Sequence, residues 1–120
     1  MLLDIYKILT IEQWKKAQET GQVKVPLDEK DGFIHLSTAT QLAATLSLFF
    51  EDCETLILLE LKQQEFKETL IFEAPSPKDI RNSPFPHLYA PLNVAQVSKV
   101  WEIERGAFLL PKEILLKAEH

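Results

Sequence analysis

Two capping boxes, each placed directly after a strand-like segment, constrain the fold of this chain more than any other feature. Alternating β-forming residues cover Leu3–Leu9 and Phe33–Ser37, and the boxes begin at Thr10 and Thr38, each with a glutamine three residues later. Such a pair satisfies two backbone N–H groups at the first turn of a helix. The sequence therefore predicts two strand–helix units.

The remaining elements are short. Further strands are predicted at three segments rich in β-forming residues: Thr55–Leu61, Leu70–Glu73 and Val97–Ile103. Turn-forming residues between 21 and 32 predict a long connection with at most a brief extended piece, and five of the seven prolines fall in residues 74–91, which predicts an irregular segment. Because the strands are short and the helices between them few, we predict an α+β fold with two or three short helices, and not a doubly wound parallel sheet.

The composition indicates one small domain. A chain of 120 residues is of single-domain size, and we expect the domain to cover residues 1–105 and the apolar tail, residues 106–120, to pack on it as a helix. A net charge of −5 gives no support for a nucleic-acid partner or an anionic membrane surface. A single cysteine allows no disulfide within the chain, and no apolar run approaches a membrane span, so we expect a cytoplasmic protein. The polar motifs described next lead us to expect a small-molecule ligand.

The first candidate site lies at the second strand–helix junction. Since side chains alternate across a strand, Phe33, His35 and Ser37 are predicted to share a face. Ser37 and Thr38 precede the predicted helix, where free N–H groups and the helix dipole favour a phosphate or carboxylate. The alternative is structural: Thr38 caps its helix, Ser37 satisfies a turn, and His35 is a hydrogen-bonded core histidine.

The second candidate site lies between two prolines. An extended path from Pro86 to Pro91 would put His87 and Tyr89 on the same side, in fixed positions. Histidine can act as an acid, a base or a phosphate donor, and tyrosine can stack on a base or bond to a ribose. The alternative is an aromatic plug beneath a proline-rich turn.

Four further positions allow weaker predictions. Glu73 ends an apolar strand and is either an orienting or catalytic carboxylate or the first solvated residue. Lys7, on an apolar strand face, either binds an anion or extends its amine to solvent, and we favour the second. Asp28 and Asp31 are interpreted as turn formers, since no cluster of residues has metal-ligand spacing. We predict no metal.

These motifs together resemble a known family. The segment Ile5–Ile8 with a helix containing Trp14, then Asp31–Thr38, then Phe85–Leu92, is similar in order and spacing to domain-of-unknown-function family 952, small proteins of bacteria and plants. The resemblance runs from about residue 3 to 104. It implies a fold like that of the ADP-ribosyltransferases, in which a split, mixed sheet holds NAD in a cleft between two small sheets.

The resemblance also implies positions for the site. In that superfamily a first-strand histidine or arginine and a second-strand serine or tyrosine contact the dinucleotide, and a later glutamate activates the ribose or its acceptor. By position the first falls on Lys7 and the second on His35 or Ser37, and Glu73 is the nearest candidate for the glutamate.

The leading hypothesis is a cleft that binds a nucleotide or another phosphorylated metabolite. The roles we predict are acid or base for His35 and His87, stabilisation of developing positive charge for Glu73, contact with the ligand for Lys7, phosphate binding for Ser37 and Thr38, and stacking or ribose bonding for Tyr89. If the site is catalytic, NAD is one candidate cofactor that the resemblance allows, with ADP-ribosyl transfer or NAD hydrolysis as the reaction. The alternatives are a non-catalytic binding module and an enzyme that acts on another phosphorylated metabolite through paired histidines.

Overall fold

The structure is a computed structural model that describes residues 4–49, 54–74, 83–104 and Ile114. The strands are β1 (Asp4–Thr10), β2 (Gln22–Val23), β3 (Ile34–His35), β4 (Ser37–Thr38), β5 (Thr55–Lys62), β6 (Leu70–Glu73), β7 (Phe85–Leu88), β8 (Leu92–Asn93) and β9 (Lys99–Glu104). The α-helices are α1 (Ile11–Thr20), α2 (Pro26–Asp31) and α3 (Leu42–Phe49), and 3-10 turns cover Ala39–Gln41, Gln63–Phe66 and Val94–Gln96. The predicted α+β class with a few short helices is confirmed.

The strands form three separate groups. A main sheet has the order β4-β1-β5-β9, a three-strand sheet has the order β3-β7-β6, and β2 pairs with β8. Every pairing within the described ranges is antiparallel, so no mixed sheet is found there. Leu36 links the two larger sheets, because β3 and β4 on either side of it belong to different sheets and its N–H donates to the Pro86 carbonyl over 3.1 Å.

Both predicted capping boxes are present. The Thr10 N–H donates to Oε1 of Gln13 over 2.9 Å, the Gln13 N–H donates back to Oγ1 of Thr10 over 3.1 Å, and α1 follows. The Thr38 N–H donates to Oε1 of Gln41 over 2.9 Å, and this box begins a 3-10 turn that runs directly into α3. These reciprocal bonds fix where the chain leaves β1 and β4.

Two predictions about irregular segments were wrong in part. The expected connection over residues 21–32 contains β2 and α2, whose first residue is Pro26, a position where no backbone N–H is needed. Gly32 ends α2 in the left-handed region, with φ of 82°. Within the proline-rich segment, residues 83–91 include β7; Pro86 cannot donate in the sheet, but its carbonyl still accepts. Residues 75–82 lie outside the described ranges.

The central strand β5 is buried on both faces. One face packs into a first cluster that contains Leu59 and Leu61, and the other into a second cluster that contains Leu56 and Leu58. This explains the apolar run in the sequence, because a strand covered on both faces needs no polar alternation. Ile114, within the predicted tail, is buried in the second cluster; the packing of the whole tail as a helix stays a prediction. No helix in the described part of the chain is long and apolar enough to cross a bilayer.

Candidate functional site

The two histidine motifs meet in the three-strand sheet. His35 on β3 and His87 on β7 are register partners, and their ring centroids lie 5.5 Å apart at an interplanar angle of 73°. Residues directly opposite each other in an antiparallel pair project to the same face of the sheet. The two motifs therefore form one surface.

A carboxylate accompanies each histidine. Nδ1 of His87 lies 2.8 Å from Oε1 of Glu73, and Nε2 of His35 lies 2.8 Å from Oδ2 of Asp31. Since an ionised carboxylate can only accept, we assign a proton to the imidazole nitrogen that faces it in each pair. Nε2 of His87 and Nδ1 of His35 are then the nitrogens that can take up or release a proton toward a ligand.

Two aromatic rings complete the surface. The Phe33 ring stacks on His87 with centroids 4.0 Å apart, and it lies 4.6 Å from His35 and 5.4 Å from Tyr89. Tyr89 is 43% exposed and its hydroxyl donates to Oε1 of Glu73 over 2.5 Å. We refer to this group as the histidine face: Asp31, Phe33, His35, Glu73, His87 and Tyr89.

The hydrogen bond between Tyr89 and Glu73 shifts the pKa values of both groups. Donation by Tyr89, and then by His87, lowers the pKa of Glu73 below 4.5, and acceptance by Glu73 raises the pKa of Tyr89 above 10.0. The contribution of Glu73 to stability is therefore present above its unfolded pKa and lost as the pH falls through its folded value. The contribution of Tyr89 is present below its unfolded pKa and lost as the pH rises through its folded value.

We expect Glu73→Gln to lower the pKa of Tyr89 toward its ordinary value, because the amide accepts without a negative charge. The measurement is a pH titration of the ¹³Cζ resonances of labelled tyrosine. Tyr6 is buried and bonds to Glu60 at 3.0 Å, so it serves as an internal control that should not change. An unchanged Tyr89 titration in the variant would contradict the bond to Glu73.

Lys7 lies beneath the histidine face, on β1. Its side chain is buried, and Nζ lies 2.7 Å from Oδ2 of Asp28 and donates to the His35 carbonyl over 3.1 Å. Oδ1 of Asp28 accepts from the His35 N–H over 3.1 Å, so the ion pair holds both polar groups of the His35 backbone. Burial lowers the pKa of Lys7, and the attraction of Asp28 offsets part of that effect. The favoured interpretation of Lys7, extension to solvent, was wrong, as was that of Asp28 as a turn former.

Ser37 and Thr38 lie on the other side of the Leu36 junction, in the main sheet. The Ser37 side chain is buried, with Oγ at 3.3 Å from Oγ1 of Thr45 on α3, whereas the His35 side chain is 34% exposed. Thr38 takes part in its capping box, as the structural alternative expected. Phosphate binding by these two residues stays a prediction.

A cavity of about 450 Å³ adjoins the histidine face. It is bordered by β2, α2, β3 and β8, and its lining includes Phe33 and Tyr89 of the histidine face.

Sequence reasoning did not assign Phe33 or Asp31 a functional role, although alternation had put Phe33 on the same face as His35. Within the described ranges, no group of three or more His, Cys, Asp or Glu side chains could hold a metal ion.

Comparisons with known proteins give one family. A family model described as "Protein of unknown function (DUF952)" matches residues 8–100. The crystal structure of protein CC0527 from Caulobacter crescentus is 34% identical, with 84% of this chain and 86% of that chain covered and a TM-score of 0.76. The solution NMR structure of the same protein gives a TM-score of 0.72, with 84% of each chain covered. A search of curated proteins gave no match.

Proposed function

Because this chain belongs to the family described as a protein of unknown function (DUF952), we propose a function from its own geometry: the histidine face binds a nucleotide-type ligand such as NAD or ADP-ribose. The observation that carries this proposal is the register pairing of His35 with His87, which joins two polar motifs beside an exposed Tyr89.

The histidine face offers the groups that such a ligand needs. A base can stack on the exposed ring of Tyr89. The Glu73 side chain is 41% exposed, and a carboxylate can accept several hydrogen bonds, so it can accept from ribose hydroxyls while it holds His87 and Tyr89. Protonated imidazoles of His35 and His87 can donate to phosphate oxygens.

The ADP-ribosyltransferase resemblance supports the same ligand class. That resemblance implies a split sheet and a glutamate near the ribose, and two features of this chain support the proposal: the strand that divides at Leu36, and Glu73 beside His87. In this assignment Lys7 is a positioning residue that acts through the His35 backbone, since its side chain is buried. If NAD is turned over, Glu73 would stabilise positive charge that develops on the ribose.

A second candidate function is acid–base catalysis on another phosphorylated metabolite. The specific observation in its favour is that each imidazole has its own carboxylate, at 2.8 Å. A carboxylate that holds an imidazole fixes its tautomer and its orientation, so one ring can act as the base and the other as the acid.

The test of binding is a calorimetric and thermal-shift titration with NAD, ADP-ribose, ribose 5-phosphate and inorganic phosphate. A ligand that binds only the folded chain raises its stability, by about 2.7 kcal/mol at one hundred times Kd. We expect saturable binding of ADP-ribose or NAD and a loss of at least about tenfold in affinity in His35→Ala and His87→Ala, which is about 1.4 kcal/mol.

The control variant is Lys16→Ala, an exposed position on α1, which should bind as the unchanged chain does. Chromatography of the incubated ligands separates the two candidate functions: release of nicotinamide indicates NAD chemistry, and release of phosphate from an ester indicates acid–base catalysis. No binding of any probe to the unchanged chain would reject the nucleotide proposal.

A further inference from the structure

We propose that the cavity beside the histidine face is the subsite for the nucleobase of the ligand, with the ribose and phosphate groups on the histidine face itself. This inference rests on the proposed function and deepens it. It divides the ligand between two neighbouring regions, which the experiment can address separately.

The size and the walls of the cavity suit a planar heterocycle. A volume of about 450 Å³ falls within the 300–1,000 Å³ range typical of small-molecule sites, which are mostly apolar with a few polar groups. Val25 and Ala90 are partly exposed and Pro91 is exposed in its lining, so an aromatic ring there can pack against apolar groups that otherwise contact water.

The cavity is continuous with the histidine face through two shared residues. Phe33 lines the cavity and contacts both histidine rings, and Tyr89 lines the cavity and bonds to Glu73. A ligand with one end at the histidines therefore passes over Phe33 or Tyr89 to reach the cavity. These rings offer the flat surfaces on which a base stacks, an interaction of about 1–3 kcal/mol per base.

Polar groups in the lining can read the edge of a base. Lys24 can donate, Glu29 can accept, and both are exposed. Gln22 can do both, because its side-chain amide carries donors and an acceptor. A base has such groups on its edge, whereas a purely aliphatic ligand would leave them unused.

The first experiment uses the unchanged chain, labelled with ¹⁵N, and three probes. We expect adenosine, which has no phosphate, to shift the amide resonances of Val25, Gly32 and Ala90, which line the cavity. Ribose 5-phosphate, which has no base, should shift those of His35 and His87, and ADP-ribose should shift both sets. If ADP-ribose shifts the histidine set alone, the cavity is not the base subsite.

The second experiment uses a matched pair of variants. Ala90→Leu adds bulk at a cavity-lining position, and Ala95→Leu makes the same change at an exposed position outside the lining. We expect Ala90→Leu to weaken ADP-ribose binding at least tenfold and to leave ribose 5-phosphate binding unchanged, with no effect from Ala95→Leu. If folded Ala90→Leu binds ADP-ribose with full affinity while His87→Ala loses that binding, the cavity is not the base subsite, but the proposed function stands. If no probe bound the unchanged chain, both would fail.

Discussion

Replacing Asp28 with alanine is expected to lower the free energy of unfolding by about 3–5 kcal/mol, because it leaves the Lys7 ammonium buried without its partner. Both side chains are 6% exposed, and 2.7 Å separates the charged atoms. The same substitution removes the acceptor for the His35 N–H, so a partly buried backbone donor also loses its bond. The measurement is urea unfolding followed by tryptophan fluorescence, since Trp14 packs against the first cluster.

A double replacement separates the loss of a partner from the value of the pair. Burial already opposes the charge on Lys7, as its lowered pKa indicates, so the pair as a whole adds little net stability. We therefore expect Lys7→Met with Asp28→Leu to recover most of the stability that Asp28→Ala loses. A double variant as unstable as the single one would show that the bonds to the His35 backbone, and not the uncompensated charge, are what the fold requires.

This pair also connects the core to the histidine face. Lys7 and Asp28 hold the carbonyl and the N–H of His35, whose ring centroid lies 5.5 Å from that of His87. A folded double variant should therefore bind ribose 5-phosphate, which has no base to enter the cavity that Asp28 lines, more weakly than the unchanged chain does. Weaker binding by a variant that is still folded distinguishes a positioning role of the pair from a purely structural one.

Local patterns in the sequence were sufficient for much of the fold. Alternation predicted β1, the capping box predicted the start of α1, and the apolar run predicted β5, because each depends on neighbours within a few residues. Alternation also put His87 and Tyr89 on one side, as their shared partner Glu73 confirms. The pairing of β3 with β7 depends on contacts between distant segments, which no local pattern specifies.

The features of the fold and of the site that the sequence did not predict have definite physical causes. The helix α2 has only six residues, too few for a helical period to be recognised. A proline in the middle of β7 argued against a strand, yet the Pro86 carbonyl accepts a sheet-like bond. Ser37 does not share an exposed face with His35, because the strand is interrupted at Leu36 and alternation does not continue from one sheet into the other.

A second large effect is expected from Leu59→Ala, which should lower the free energy of unfolding by about 2–5 kcal/mol. Leu59 is fully buried at the centre of β5, opposite Lys7 on one side and Val100 on the other. Truncation removes apolar contacts with the first cluster and leaves a cavity that the flanking strands cannot close without breaking their register. The measurement is urea unfolding, from which two quantities are fitted: the midpoint urea concentration and the slope of the unfolding free energy against urea concentration.

Val100→Ala is the matched control, since Val100 is the register partner of Leu59 on β9 but is 44% exposed. We expect a change within about 0.5 kcal/mol, because the truncated atoms already contact water. Equal losses in the two variants would contradict the placement of Leu59 at the centre of the core.

Because β5 belongs to both clusters, Leu59→Ala should lower the midpoint without changing the slope, which is the result for a chain that unfolds as one unit. A smaller slope would mean instead that the second cluster, with Leu58, stays folded after the first is lost.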